Sequence, residues 1–232
     1  VFTVQLQKPH ADPALFDMVI APTHDRLSGE NVISILGATH RITREELSEH
    51  AIALEPMIDA LPKPRTAVLI GGAAARRAVT ADAGSLLVSA LSARLADGGG
   101  LMITTSRRTP PDIASALKAF AMRDDVYFFD AAGASGRNPY FGMLGAADRI
   151  IVTEDSVNMA VEAAATGAPV EIVPWGDERS NRRPDKFDDF HDALARSGAA
   201  RPFSARARDW TYEPLDETGR AADAVLARWG AD

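Results

Sequence analysis

The chain has 232 residues, 46% hydrophobic and 25% charged, with a formal net charge of −7 and no cysteine. That length and balance allow one large domain or two small ones around a sizeable core. The acidic balance speaks against nonspecific binding to nucleic acid, and the lack of thiols excludes disulfides, thiolate nucleophiles and Cys-ligated metals.

The opening VFTVQLQKPH has no signal-peptide pattern. No stretch reaches the roughly 18 apolar residues of a membrane span, so a cytoplasmic chain without a transmembrane segment is expected. Three short β-like runs come first, Val1–Gln7, Phe16–Ala21 and Asn31–Leu36, separated by turn-rich pieces. Thr43 and Glu46 have capping-box spacing, and Leu47, Ala51, Leu54, Ile58 and Leu61 share one face of the helix that follows. Pro62 and Pro64 in LPKPR break that pattern and mark a linker. Beyond it, strands and helices alternate. TAVLIGG leads to a helix near Ala81–Ala96, GLMITTS to one near Pro111–Ala121, VYFFDA to a short one near Pro139–Ala147, and RIIVT to an alanine-rich helix before VEIVP. Near-continuous apolar strands joined by helices predict an α/β fold, a parallel, doubly wound, Rossmann-like sheet with strand order 3-2-1-4-5. The tail from about Arg182 reads as helices and irregular segments, with a last helix over Thr218–Trp229. Residues 1–61 are too few for a second doubly wound half. They are expected to pack as a partial α/β layer joined to a 62–232 domain, with the last helix crossing back.

In an open parallel sheet, ligands bind beyond the carboxyl ends of the strands, near the switch in strand order. The loops after the strands therefore hold the candidates. Gly71 and Gly72 let a ligand approach the backbone, or simply form a tight turn; Arg76 and Arg77 behind them suit phosphate. Ser106, Arg107 and Arg108 end the second strand, and adjacent guanidinium forks fit phosphate oxygens or form a solvated pair. In the glycine-rich third loop Asn138 can cap the next helix, with Pro139 in its first turn and Tyr140 behind, and such a loop can enclose a base or sugar. After the fourth strand, Asp155 or Ser156 is the N-cap, and the free amides there form an anion site. Asp155, Asn158 and Glu162, spaced by three and four, read as one polar stripe. Glu162 suits two ribose hydroxyls, or is an ordinary exposed carboxylate. The mixed-charge PWGDERSNRR follows the fifth strand. His10, His24, His40, His50 and His191 lack metal-ligand spacing, so no metal is expected. His24–Asp25 is a candidate catalytic base, although a His beside Asp in a turn is the plainer reading. The sequence has no P-loop, GxGxxG or GxSxG pattern.

The stretch ADRIIVTEDSVNMAVEAAATGAPVEIV resembles the donor-binding half of GT-B glycosyltransferases. There a helix glutamate holds the ribose of a nucleotide sugar and the helix start faces the diphosphate; Glu162 matches that glutamate. FDMVIAPTHD, NVISILGATHRIT, LPKPRTAVLIGG, TTSRRTP, NPYFGMLGAADRIIVTEDSVNM and EAAATG occur in this order. Over nearly the whole chain they resemble the mitochondrial fission family, bacterial and plant proteins related to GT-B enzymes. The resemblance implies a nucleotide diphosphate sugar as ligand and no other cofactor. Arg107, Arg108 and the amides after Thr153 would face the diphosphate, Glu162 the ribose, and Asn138–Tyr140 the base. It also implies a longer N-terminal domain than the residues before LPKPR supply, and in GT-B enzymes that half carries the acceptor site and usually the base. Two functions follow. One is a GT-B-like glycosyltransferase homologue. The other is a catalytically silent adaptor or scaffold that meets a protein partner or a second copy of the chain.

Overall fold

The computed structural model describes residues 1–72, 79, 82–133, 136–174 and 185–230. Within them the strands form two parallel sheets. The smaller contains β1 (Val4–Leu6), β2 (Met18–Pro22) and β3 (Val32–Ile35) in that order. Val4 stands opposite Met18, and Val19 opposite Val32. Every residue of β2 is buried, as in a central parallel strand covered on both faces.

The larger sheet contains β4 (Arg65–Ile70), β5 (Gly100–Thr105), β6 (Val126–Phe129), β7 (Arg149–Thr153), β8 (Val170–Val173) and β9 (Ala200–Pro202). All its pairings are parallel, in the order β6-β5-β4-β7-β8-β9. The first five positions reproduce the expected 3-2-1-4-5 arrangement, and β9 extends it by one strand. β9 ends in Pro202, which an edge strand tolerates because its outer side needs no backbone donor.

Alternation along each strand divides the core between two faces. Val68 and Ile70 of β4 point to one face, where α2 (Ala83–Ala96) and α3 (Pro111–Phe120) bury Leu87, Leu91, Ile113 and Leu117. Ala67 and Leu69 point to the other, covered by α4 (Tyr140–Ala146), α5 (Val157–Ala165) and α6 (Lys186–Arg196). The winding direction reverses between β4 and β7, which places the switch point there.

Two helices cross between the sheets. α1 (Arg44–Ile58) is capped by Thr43, whose Oγ1 accepts from Glu46 N at 3.1 Å. It buries Leu47, Leu54 and Ile58 in the core beneath the larger sheet. Gly142 and Gly145 of α4 make that approach possible. A Cβ on Gly145 would stand 2.3 Å from the Leu47 carbonyl oxygen, and one on Gly142 2.7 Å from that of His50. In the opposite direction, α7 (Glu217–Trp229) returns to the smaller sheet and sets Ala221, Ala224 and Val225 against Met18, Ile20 and Ile35. A buried ion pair fixes the chain between β9 and α7. Arg94 of α2, 1% exposed, meets Glu171 of β8 at 2.5 Å, and Glu171 accepts from Ser204 N at 3.1 Å.

Candidate functional site

At the switch point the loops after β4 and β7 are bonded to each other. Gly71 N donates to Thr153 Oγ1 at 2.8 Å, Gly72 N to Asp155 Oδ2 at 2.9 Å, and Thr153 Oγ1 to Asp155 Oδ1 at 2.7 Å. Burial raises the Asp155 carboxyl above the usual carboxylate range, and the bonds from Thr153 and Gly72 work against that rise. Both glycines are required by the protein itself. A Cβ on Gly71 would lie 2.0 Å from Asp155 Oδ2, and one on Gly72 2.0 Å from the Arg108 carbonyl oxygen.

The polar stripe read from spacing is therefore incomplete. α5 starts at Val157, and Ser156 is its N-cap, with Oγ accepting from Met159 N at 3.3 Å. Asp155 precedes the cap, where helical spacing no longer applies, and its carboxylate braces the loop after β4. Asn158 and Glu162 remain on one face, one turn apart.

Ser106 is built into its turn. Its Oγ accepts from Arg108 N at 3.2 Å, its N donates to Thr109 Oγ1 at 2.9 Å, and Thr109 Oγ1 donates in turn to the Gly71 carbonyl. That turn leaves Arg107 and Arg108 exposed beside the switch point. Arg76, Arg77 and all but the first residue of PWGDERSNRR lie outside the described residues.

The N-cap of α4 is Pro139, not Asn138 as expected, and Asn138 Oδ1, one residue before it, accepts from Tyr140 N at 3.0 Å. The Tyr140 hydroxyl then donates to Glu162 Oε2 at 2.6 Å, joining α4 to α5. Burial, followed by the Glu162 charge, pushes the Tyr140 hydroxyl well above its ordinary value. Burial also raises the Glu162 carboxyl, and the Tyr140 bond opposes this. The proton between them therefore stays on Tyr140. Glu162 is half-buried and anchored, unlike an ordinary surface carboxylate.

Two adjoining cavities lie between α5 and the smaller sheet. One, of about 320 Å³, is lined by His24, Asp25, Gly37, Thr39, Asn158 and Lys186 among others. The other, of about 530 Å³, is lined by Thr39, His40, Arg41, Glu162, Thr218 and Val225 among others. Leu6, Ile20 and Thr39 border both. His24 follows β2 and sits 8% exposed against Phe187 and Phe190, with ring centroids 6.4 and 5.7 Å away. Burial lowers its pKa. Asp25 is turned to Lys186, whose Nζ donates to Oδ1 at 2.8 Å.

His24, Asp25, Asn158 and Glu162 thus line these adjoining cavities, with Tyr140 bonded to Glu162, while Gly71, Gly72, Ser106, Arg107, Arg108, Asp155 and Ser156 gather at the switch point. Sequence reasoning did not single out Thr39, or His40 beyond its lack of metal-ligand spacing, or Glu217 and Thr218. The one signal for the first two was position, because they follow β3 as the other candidates follow their strands. A half-buried carboxylate, flanking hydroxyls and nearby cations suit a ligand that offers both hydroxyl groups and negative charge. Among the described residues no group of three His, Asp or Glu is placed to hold a metal ion, and no helix is long and apolar enough to cross a membrane.

Comparison with known proteins gives a family match over residues 1–229, to the family described as Mitochondrial fission ELM1. Mitochondrial fission protein ELM1 of Arabidopsis thaliana is 31% identical, over 97% of this chain and 57% of that protein. Uncharacterized protein RP120 of Rickettsia prowazekii (strain Madrid E) is 26% identical, over 96% of this chain and 71% of that protein. The chain thus spans little more than half the length of the Arabidopsis relative. Similar solved structures include MurG of Acinetobacter baumannii, with a TM-score of 0.45, 15% identity and coverage of 93% of this chain and 53% of MurG. A glycosyltransferase from Rickettsia africae ESF-5 has a TM-score of 0.45, 9% identity and coverage of 98% and 61%.

Proposed function

The chain belongs to the mitochondrial fission ELM1 family, and we propose that it binds a nucleotide diphosphate sugar as a GT-B-like glycosyltransferase homologue. The observation that carries this reading is Glu162, held at one oxygen by Tyr140 and bordering a cavity of about 530 Å³. A carboxylate has about four acceptor sites, so one tyrosine bond leaves capacity for two ribose hydroxyls. The diphosphate would lie toward the start of α5, where free amides and the helix dipole favour negative charge. The exposed forks of Arg107 and Arg108 would meet its oxygens there. In a transfer reaction the same groups would stabilise charge developing on the leaving diphosphate.

The test is a thermal-shift titration of UDP, GDP, ADP and TDP and their hexose conjugates. A ligand at 100 times its Kd adds about 2.7 kcal/mol, or roughly 5–10 °C for a chain of this size. A flat response across the panel would instead favour the silent adaptor. That second reading draws on Leu226 and Trp229, which leave large apolar surfaces, 60% and 62% exposed, on α7.

A further inference from the structure

The wall opposite Glu162 is the segment after β3, and it is held from α7. Thr218 Oγ1 holds the His40 backbone at both of its polar groups, accepting from His40 N at 2.8 Å and donating to His40 O at 2.7 Å. Glu217 Oε2 accepts from Leu36 N at 2.7 Å. Between them Gly37 has φ of +85° and lies hard against α5 and α6, where a Cβ would meet Val161 Cγ2 at 2.3 Å and Phe190 Cε2 at 2.8 Å. The segment is thus pinned at Leu36, Gly37 and His40.

It carries the His40 imidazole, which borders the same cavity as Glu162. Both His40 ring nitrogens are closed off from solvent and have no hydrogen-bond partner among the described residues. In either neutral tautomer an imidazole has one donor and one acceptor, and leaving both buried and unmatched destabilises the fold. Nearby, Tyr140 bonds Glu162 at one oxygen, and Arg41 stands over the Phe141 ring, 5.0 Å from its centroid. A polar group entering the cavity would supply the partner that His40 lacks.

We propose that His40 is a ligand-binding residue of this site, its ring turning into the cavity to donate to a hydroxyl of the ribose held by Glu162, and that Thr218 is its positioning residue. This rests on the nucleotide-binding reading above.

The test uses whichever of UDP, GDP, ADP or TDP raises the melting temperature of the full chain. The imidazole signals of His40, assigned by their loss in His40→Gln, are followed by NMR during titration. At saturation they are expected to move, while those of the exposed His10 stay in place. His40→Ala should weaken binding about tenfold. Thr218→Val should weaken it comparably, and Thr218→Ser, which keeps the hydroxyl clamp, should bind as the wild type does. Stationary His40 signals with nucleotide bound would overturn the contact and leave the Glu162 reading standing. A lower melting temperature with unchanged affinity in Thr218→Val would overturn the positioning role. If none of the four nucleotides raises the melting temperature, the nucleotide-binding reading fails and this inference fails with it.

Discussion

Replacing Glu162 with Gln tests the ribose role most directly, because it changes charge while keeping shape. The Tyr140 hydroxyl can still donate to the amide oxygen, so the 2.6 Å bond becomes neutral without being lost. Charge-assisted bonds are roughly twice as strong as neutral ones. With a neutral bond contributing about 1 kcal/mol net, the fold loses about 1 kcal/mol there. Against this, the variant no longer carries the charge whose burial raises the Glu162 carboxyl. The two effects oppose, so stability at neutral pH should change by no more than about 1 kcal/mol, or roughly 4 °C in Tm. The sign with pH is fixed. A carboxyl whose folded pKa is raised favours the fold fully below its unfolded value and loses that advantage as pH rises through the folded value. The stability of the wild type relative to Glu162→Gln should therefore be greatest at acid pH and decline through the carboxylate range. Nucleotide binding has no such offset. Losing a charged acceptor for the ribose should cost about 1–3 kcal/mol, roughly 5- to 150-fold in Kd by isothermal titration. Wild-type affinity in Glu162→Gln, for a nucleotide the protein binds, would refute the role. So would a loss of fold stability above about 3 kcal/mol, which would make Glu162 a structural residue.

Arg107→Ala should weaken nucleoside diphosphates and leave free nucleosides unaffected; equal losses for both in calorimetry would remove Arg107 from the diphosphate. Gly71→Ala places a methyl group 2.0 Å from Asp155 Oδ2, so chemical denaturation should show about 2–4 kcal/mol of destabilisation from overpacking and broken loop bonds. A change within about 0.5 kcal/mol, the size of a surface substitution, would show that the loop yields. Residues 1–61 expressed alone should lack a cooperative circular-dichroism melt, because α1 buries its apolar face beneath the larger sheet and β2 and β3 bury theirs against α7. A cooperative melt would contradict this account of what stabilises the smaller sheet.

Local signals carried most of the architecture. The runs that became β4, β5, β6, β7 and β8 are apolar on both faces, and alternation with helices sets their parallel order. Thr43 was readable as a cap because capping is a matter of a few residues, whereas the expected Asn138 cap is displaced by one residue, to Pro139. β9 was not legible, since ARP has neither length nor pattern, and its strand character comes from pairing with β8. The start of α6 was legible in principle. Asp185 and Asp188 form a reciprocal capping box, with Asp standing where Glu is more usual. The site was harder to read because its contacts are long-range. The spacing of Asp155 suggested a helix face, but the carboxylate turns back to Gly72, 83 residues away in sequence. The anchoring of Glu162 comes from Tyr140, 22 residues earlier, and nothing in its alanine-rich surroundings indicates it. His40 became a candidate only through the burial of its two nitrogens, which no spacing rule contains.

The return of α7 to the smaller sheet has a consequence for biosynthesis. The bond from Leu36 N to Glu217 spans 181 positions, so Met18, Ile20 and Ile35 wait for their cover until those intervening residues and α7 have been synthesised. At about 5–20 residues per second that delay is roughly 9–36 s, long against the microseconds in which apolar segments collapse. During that interval the larger sheet can assemble from contacts mostly nearer in sequence, while β1, β2 and β3 present an uncovered apolar face. Stalled nascent chains ending before α7 should therefore show protease-resistant β4–β8 and a cleavable first segment, and should recruit apolar-binding chaperones there. Equal protection of both parts in such chains would mean that the smaller sheet holds together without its last helix.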